Sequence, residues 1–218
     1  MSTLDTTTET PADIRPGTAI RDPLADPLIT PQNSALILID YQPDQVKAVR
    51  SMDQDLLVEN IISTVKLAKL FGVPVVHSTV NVASGRQEPT IPRIAELLED
   101  DPPVDRTSLN AWEDIDFLAA VRATGRRKLI ACALWTEICM TFPSLDALRE
   151  GYEVYPVVDA IGGTSPEAHR AGLERVTRAG GKPISWVSLA CELQRDWARE
   201  ETVAGVVEIV LTERLLKD

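Results

Sequence analysis

The sequence predicts an α/β fold, a three-layer α/β/α sandwich with a mostly parallel central sheet, in a chain of 218 residues. Three observations predict it. Short apolar runs alternate with segments of helical spacing, the pattern of repeated β-α-β units. The first run, Ala35-Leu36-Ile37-Leu38-Ile39, is apolar at every position, as a strand covered on both faces requires. Helical segments stop at Gly72, Gly125 and Gly151, a residue type that takes the left-handed position after a helix without a Cβ penalty.

The elements follow in order. The first strand ends at Asp40, and Leu56, Leu57, Ile61, Val65 and Ala68 then recur at helical spacing up to Gly72. Pro74-Val75-Val76 reads as a second strand. Helices are expected around Arg93 to Glu99 and Asp114 to Thr124, then a strand from Lys128 to Ala133. Leu145 to Glu150 reads as a helix, Val154 to Val158 as a strand, and Pro166 to Ala179 as a helix with proline in its first turn. Ile184 to Val187 reads as a last short strand. Residues 1–33, rich in Thr, Pro and Asp, read as a tail or arm, residues 34–200 as the domain, and residues 201–218 as a C-terminal helix packing on the domain or on a neighbouring subunit.

Composition excludes several function classes. The formal charge of -11, with no basic cluster, repels phosphate backbones and anionic lipid, so neither nucleic acid nor membrane is an expected partner. No apolar run approaches the ~20 residues that span a bilayer. The 3 cysteines, Cys132, Cys139 and Cys191, lack disulfide or zinc spacing and read as reduced thiols, which points to the cytoplasm. His77 and His169 stand alone, so no metal is expected, and His169 reads as a solvated helix residue. No glycine-rich phosphate loop follows the first strand, no Gly-x-Ser-x-Gly elbow is present, and Gly162-Gly163 reads as a turn.

In an open parallel sheet the ligand site lies beyond the carboxyl ends of the strands, near the point where strand order reverses. Asp40 and Cys139 occupy such positions. A thiol at a helix start feels the positive end of the helix dipole, which favours the thiolate, and Arg106 in Val104-Asp105-Arg106-Thr107-Ser108-Leu109-Asn110-Ala111-Trp112 is a candidate for a further positive charge. That stretch reads as a polar loop over the site. Each residue also has an ordinary reading: Asp40 as a turn cap, Arg106 as a solvated charge, Cys139 as a small core residue. Cys132 and Cys191 keep the core reading.

These residues carry a resemblance. ALILIDYQ at the first strand, RTSLNAWED, LIACALWTEICMTFPSLDALREGYEVYPVVDA and ACELQRDW together resemble the isochorismatase-like cysteine hydrolases, YcaC-like branch, over Ser34 to Trp197. The resemblance implies a catalytic triad of Asp40, Arg106 and Cys139, with arginine where the family usually has lysine. It implies a cis peptide at Leu134-Trp135 and an oxyanion hole from the backbone N–H groups of Trp135 and Cys139. The implied activity is cleavage of a small amide-like C–N substrate through a cysteine thioester, without metal or cofactor. The paired histidines that hold a metal in relatives acting on nicotinamide have no equivalents here. Trp112 and Phe142 read as walls of a substrate pocket, with Gln42 and Asn110 as polar contacts. Members are usually homo-oligomers, and the apolar stretch Val203 to Leu211 suits such an interface. Two other readings of the fold stay open, an inactive binding or assembly module and a thiol redox sensor.

Overall fold

In the computed structural model, which describes residues 22–216, five parallel strands form one sheet in the order β3-β2-β1-β4-β5. They are β1 (Ser34–Ile39), β2 (Val75–Val80), β3 (Val104–Arg106), β4 (Lys128–Ala133) and β5 (Glu153–Pro156). Every residue of β1 and β4 is buried, which explains their unbroken apolar runs.

Helices flank this sheet. They are α1 (Pro43–Lys47), α2 (Gln54–Leu70), α3 (Pro92–Ala95), α4 (Ile115–Ala123), α5 (Thr141–Arg149), α6 (Pro166–Arg178), α7 (Trp186–Gln194) and α8 (Glu200–Val206). α2 packs with α7 and the C-terminal helix, and α5 with α6. Local chemistry sets several starts: the side chains of Asp53, Asp114, Ser165 and Ser185 each accept an N–H in the first turn of the following helix. Gly72, Gly125 and Gly151 do take positive φ. α8 continues through a wider, π-type turn over Val207–Leu215, and Val206, Ile209 and Val210 are buried within the chain. Lys66 pairs with Glu213, and Arg214 donates to Asn60 Oδ1 at 2.7 Å. Much of the apolar C-terminal stretch expected at a subunit interface is therefore used inside the protomer.

Two sequence expectations need correcting. Ile184 to Val187 is not a strand: only Ile184 bridges to Val157, because the Ser185 hydroxyl accepts the Ser188 N–H and starts α7 at once. Val104–Arg106 is not a loop but β3, at the sheet edge. The Asp105 carboxylate makes this polar strand tenable by accepting from Thr79 Oγ1 at 2.9 Å and from the N–H groups of Val82 and Ala83 at 3.0 and 2.8 Å.

The expected tail at residues 1–33 lies outside the described residues up to position 21. From 22 onward the chain packs across the amino-terminal end of the sheet. The Lys128 ammonium, at the start of β4, donates to the carbonyls of Asp26, Pro27 and Leu28 at 2.6, 2.8 and 2.7 Å, and Asp26 pairs with Arg195.

Candidate active site

Strand order reverses between β1 and β4, since the chain leaves β1 toward β2 on one side and later returns to β4 on the other. Register brings the ends of these two strands level: Ile39 pairs with Ala133, and the Leu134 N–H donates to the Ile39 carbonyl at 3.1 Å. Asp40 is therefore placed beside the Leu134–Trp135 peptide, which is cis. Asp40 itself has φ +64°, a left-handed conformation that aspartate tolerates better than most residues but that still costs about 1–2 kcal/mol.

The structure brings Asp40, Arg106 and Cys139 together. Arg106, the last residue of β3, donates Nη1 to Asp40 Oδ1 at 2.8 Å and Nη2 to Asp40 Oδ2 at 2.7 Å, and Nη1 also reaches the Thr79 carbonyl at 3.1 Å. Both side chains are almost wholly buried, at 0% and 1% exposure. A forked pair of this kind is the strongest form of carboxylate recognition. Burial opposes the Arg106 charge, yet the bonds and charge of Asp40, with a smaller contribution from Cys139, raise its pKa above the ordinary value. The Arg106 Nε is left buried without a partner.

Cys139 lies in the π-type turn Thr136–Met140 that leads into α5 and is 8% exposed. Asp40 and the backbone N–H of Trp135 both lie close enough to act on its sulfur. Where the sequence suggested a thiolate favoured by a helix start, burial acts the other way. Burial first, and the Asp40 charge second, push the thiol up to about 12, and Arg106 offsets this only in part.

The turn that carries Cys139 is fixed by close backbone packing. Thr136 donates its N–H to the Gly162 carbonyl at 2.9 Å, and Thr136 O accepts the Thr141 hydroxyl at 2.6 Å. α6 approaches at Gly172, where a Cβ would lie 2.9 Å from Glu137 Cα and 3.0 Å from the Thr136 carbonyl. Gly162 is similarly confined, its missing Cβ 2.6 Å from Val49 Cγ1. The Gly162-Gly163 pair is thus part of the support of the nucleophile turn. His169, expected to be solvated, is half-buried: its Nδ1 is 2.8 Å from Thr136 Oγ1, and burial lowers its pKa.

The four residues expected to line a pocket have the following partners in the protein. Gln42 is fully buried, its Nε2 donating to the Val80 and Glu88 carbonyls at 3.1 and 2.7 Å while Oε1 accepts the Val80 N–H at 2.9 Å. Asn110 caps the turn before α4 and donates to Asp146 Oδ2 at 2.7 Å. The Trp112 indole donates to Glu150 Oε1 at 3.0 Å and its ring meets Tyr152 edge-on at 5.3 Å, at the end of α5 remote from Cys139. Phe142 lies under the Arg175 guanidinium, 5.9 Å from its ring centroid.

Among the described residues no group of three or more His, Cys, Asp or Glu side chains is placed to hold a metal ion. His77, buried, has Nε2 2.6 Å from Thr90 Oγ1. No helix there is long and apolar enough to cross a membrane.

Asp40 and Cys139 thus stand at the switch point of a parallel sheet, with Arg106 reaching in from the edge strand, the place where α/β proteins of this class bind ligands. Residues 34–188 match the isochorismatase domain, and the chain belongs to the isochorismatase family of hydrolases. It is 34% identical over 169 residues to the probable hydrolase YcaC of Escherichia coli, covering 77% of this chain and 81% of that protein. The YcaC structure from Pseudomonas aeruginosa, solved with hexane-2,5-diol and covalent acrylamide, superposes with a TM-score of 0.80 at 31% identity, covering 86% and 93% of the two chains. The Escherichia coli YcaC structure, described as an octameric hydrolase of unknown specificity, gives the same TM-score at 30% identity and the same coverage. Nicotinamidase PncA of Bacillus subtilis shares the fold at 18% identity, with a TM-score of 0.59.

Proposed function

We propose that this chain is a metal-independent cysteine hydrolase that cleaves a small amide-like C–N bond through a thioester on Cys139. The observation that carries the reading is one hydrogen-bonded group, Asp40 with Arg106 and Cys139, at the switch point of the sheet.

Because the resting thiol is protonated, attack and proton transfer occur together. Asp40 takes the thiol proton as sulfur bonds to the carbonyl carbon and the π pair moves onto oxygen. The Trp135 N–H and the Cys139 N–H are the donors for that oxyanion. Collapse breaks the C–N bond, and the amine leaves with the proton from Asp40. Water then gives a proton to Asp40, its oxygen bonds to the acyl carbon, the C–S bond breaks, and Asp40 returns the proton to sulfur. Arginine is effectively always protonated, so Arg106 balances charge and orients Asp40 but shuttles no proton.

The octameric state of the Escherichia coli relative supports a homo-oligomer. Free cysteines throughout accord with a reducing cytoplasm. The test is intact-mass spectrometry after incubation with a panel of small amides, including acrylamide, with Cys139→Ala as control. An adduct that requires Cys139 and, for hydrolysable amides, decays with release of product is the expected result. Turnover that survives in Cys139→Ala sinks the scheme.

A further inference from the structure

The two glutamines that follow Asp40 differ in one respect. Gln42 has both ends of its carboxamide bonded to backbone. Gln45, one turn later on α1, is only 7% exposed, and its Oε1 is buried with no donor. Most buried polar atoms in folded proteins are paired, so an orphan at a site calls for an explanation.

Its position supplies one. The backbone carbonyl of Gln45 accepts the indole N–H of Trp135 at 2.9 Å, and the backbone N–H of Trp135 acts on the Cys139 sulfur. Gln45 and Cys139 thus both neighbour Trp135. We propose that the Gln45 carboxamide oxygen accepts an N–H of the substrate and makes the site selective for a primary amide over the corresponding ester. Resting on the cysteine-hydrolase reading, this deepens it: the carbonyl oxygen of an amide seeks donors, its nitrogen seeks an acceptor, and the Gln45 oxygen is a buried acceptor still unused beside Trp135. An ester has no N–H to offer.

Acrylamide and methyl acrylate test this without knowledge of the physiological substrate. Both add to a thiol in the same way: sulfur bonds to the terminal alkene carbon, the thiol proton ends on the neighbouring carbon, and nothing leaves. Changes in thiol ionisation therefore cancel in the ratio of the two alkylation rates at Cys139, read by intact mass. In Gln45→Met the acrylamide-to-methyl acrylate ratio should fall about tenfold, the loss of one hydrogen bond, and Gln45→Glu, which keeps an acceptor, should restore much of it. An unchanged ratio in Gln45→Met, with or without a shift in melting temperature, overturns the proposal. If that variant does not fold, the wild-type protein decides. Its preference for acrylamide over N,N-dimethylacrylamide, which has no N–H, must exceed that of free glutathione; an equal preference overturns the proposal. A Cys139 inert to all three reagents would remove the covalent reading itself and this inference with it, whereas reaction with unchanged ratios removes this inference alone.

Discussion

Arg106 and Asp40 meet through two hydrogen bonds of 2.8 and 2.7 Å although they leave strands that are not neighbours, with β2 lying between β3 and β1. Breaking such a pair from one side leaves a buried charge without its partner, which costs far more than the pair contributes. Arg106→Met should destabilise the fold by about 3–5 kcal/mol in urea unfolding, while Asp40→Asn combined with Arg106→Met should cost well below the sum of the single changes. Additive losses would show that the pair is not coupled. Arg106→Lys keeps the charge but not the fork and should retain covalent reactivity.

The alkylation of Cys139 by iodoacetamide should climb with pH beyond the range of an ordinary thiol. Its pKa is raised to about 12, so the proton is held at neutral pH and lost only as pH approaches that value. The rate should rise about tenfold per unit from pH 8 with no plateau near the usual value of about 8.5. Asp40→Asn removes the like charge and should move the curve to lower pH. A wild-type plateau below pH 8 would contradict the burial described above.

Gly172→Ala should impair the nucleophile from a distance. The added methyl meets backbone atoms of Glu137 and Thr136 at 2.9 and 3.0 Å, and neither can swing away. α6 or the Cys139 turn has to shift, at about 1–3 kcal/mol. Thermal unfolding together with acrylamide labelling measures both effects; wild-type values for both would show that the contact relaxes freely.

Lys128→Met should release the segment that precedes β1. Three carbonyls lose a charged donor, for about 2–3 kcal/mol in total. Limited proteolysis should cut near Asp26 to Leu28 in the variant before it does so in the wild-type protein.

Much of the architecture was legible because its signals are local. β1 and β4 are unbroken apolar runs, and α2, α4 and α6 carry their caps or first-turn proline in the sequence. β3 was not legible. Three residues cannot show a period, and the burial of Arg106 and the bonding of Asp105 depend on partners up to 66 positions away. The placement of Asp40 and Cys139 followed from strand ends alone, but the high pKa of the thiol depends on how deeply the turn is buried, which spacing does not report. Trp112, Phe142 and Asn110 could not be assigned from sequence, because aromatic and amide side chains suit helix packing and capping as well as they suit a pocket. The spare acceptor on Gln45 is visible only once every neighbouring bond has been assigned.

The edge position of β3 has a further consequence. A strand of three residues with one free side has little ladder to hold it, and edge strands open readily. Besides the Asp105 bonds, what fastens this one is its last side chain, which reaches past β2 to grip the end of β1. Closure of the sheet margin and assembly of the reacting group are therefore coupled, and a protomer whose margin has frayed as far as Arg106 is also one in which Cys139 has lost its counter-charge. Amide exchange at Val104 to Arg106 then becomes a direct gauge of the fraction of molecules competent to react.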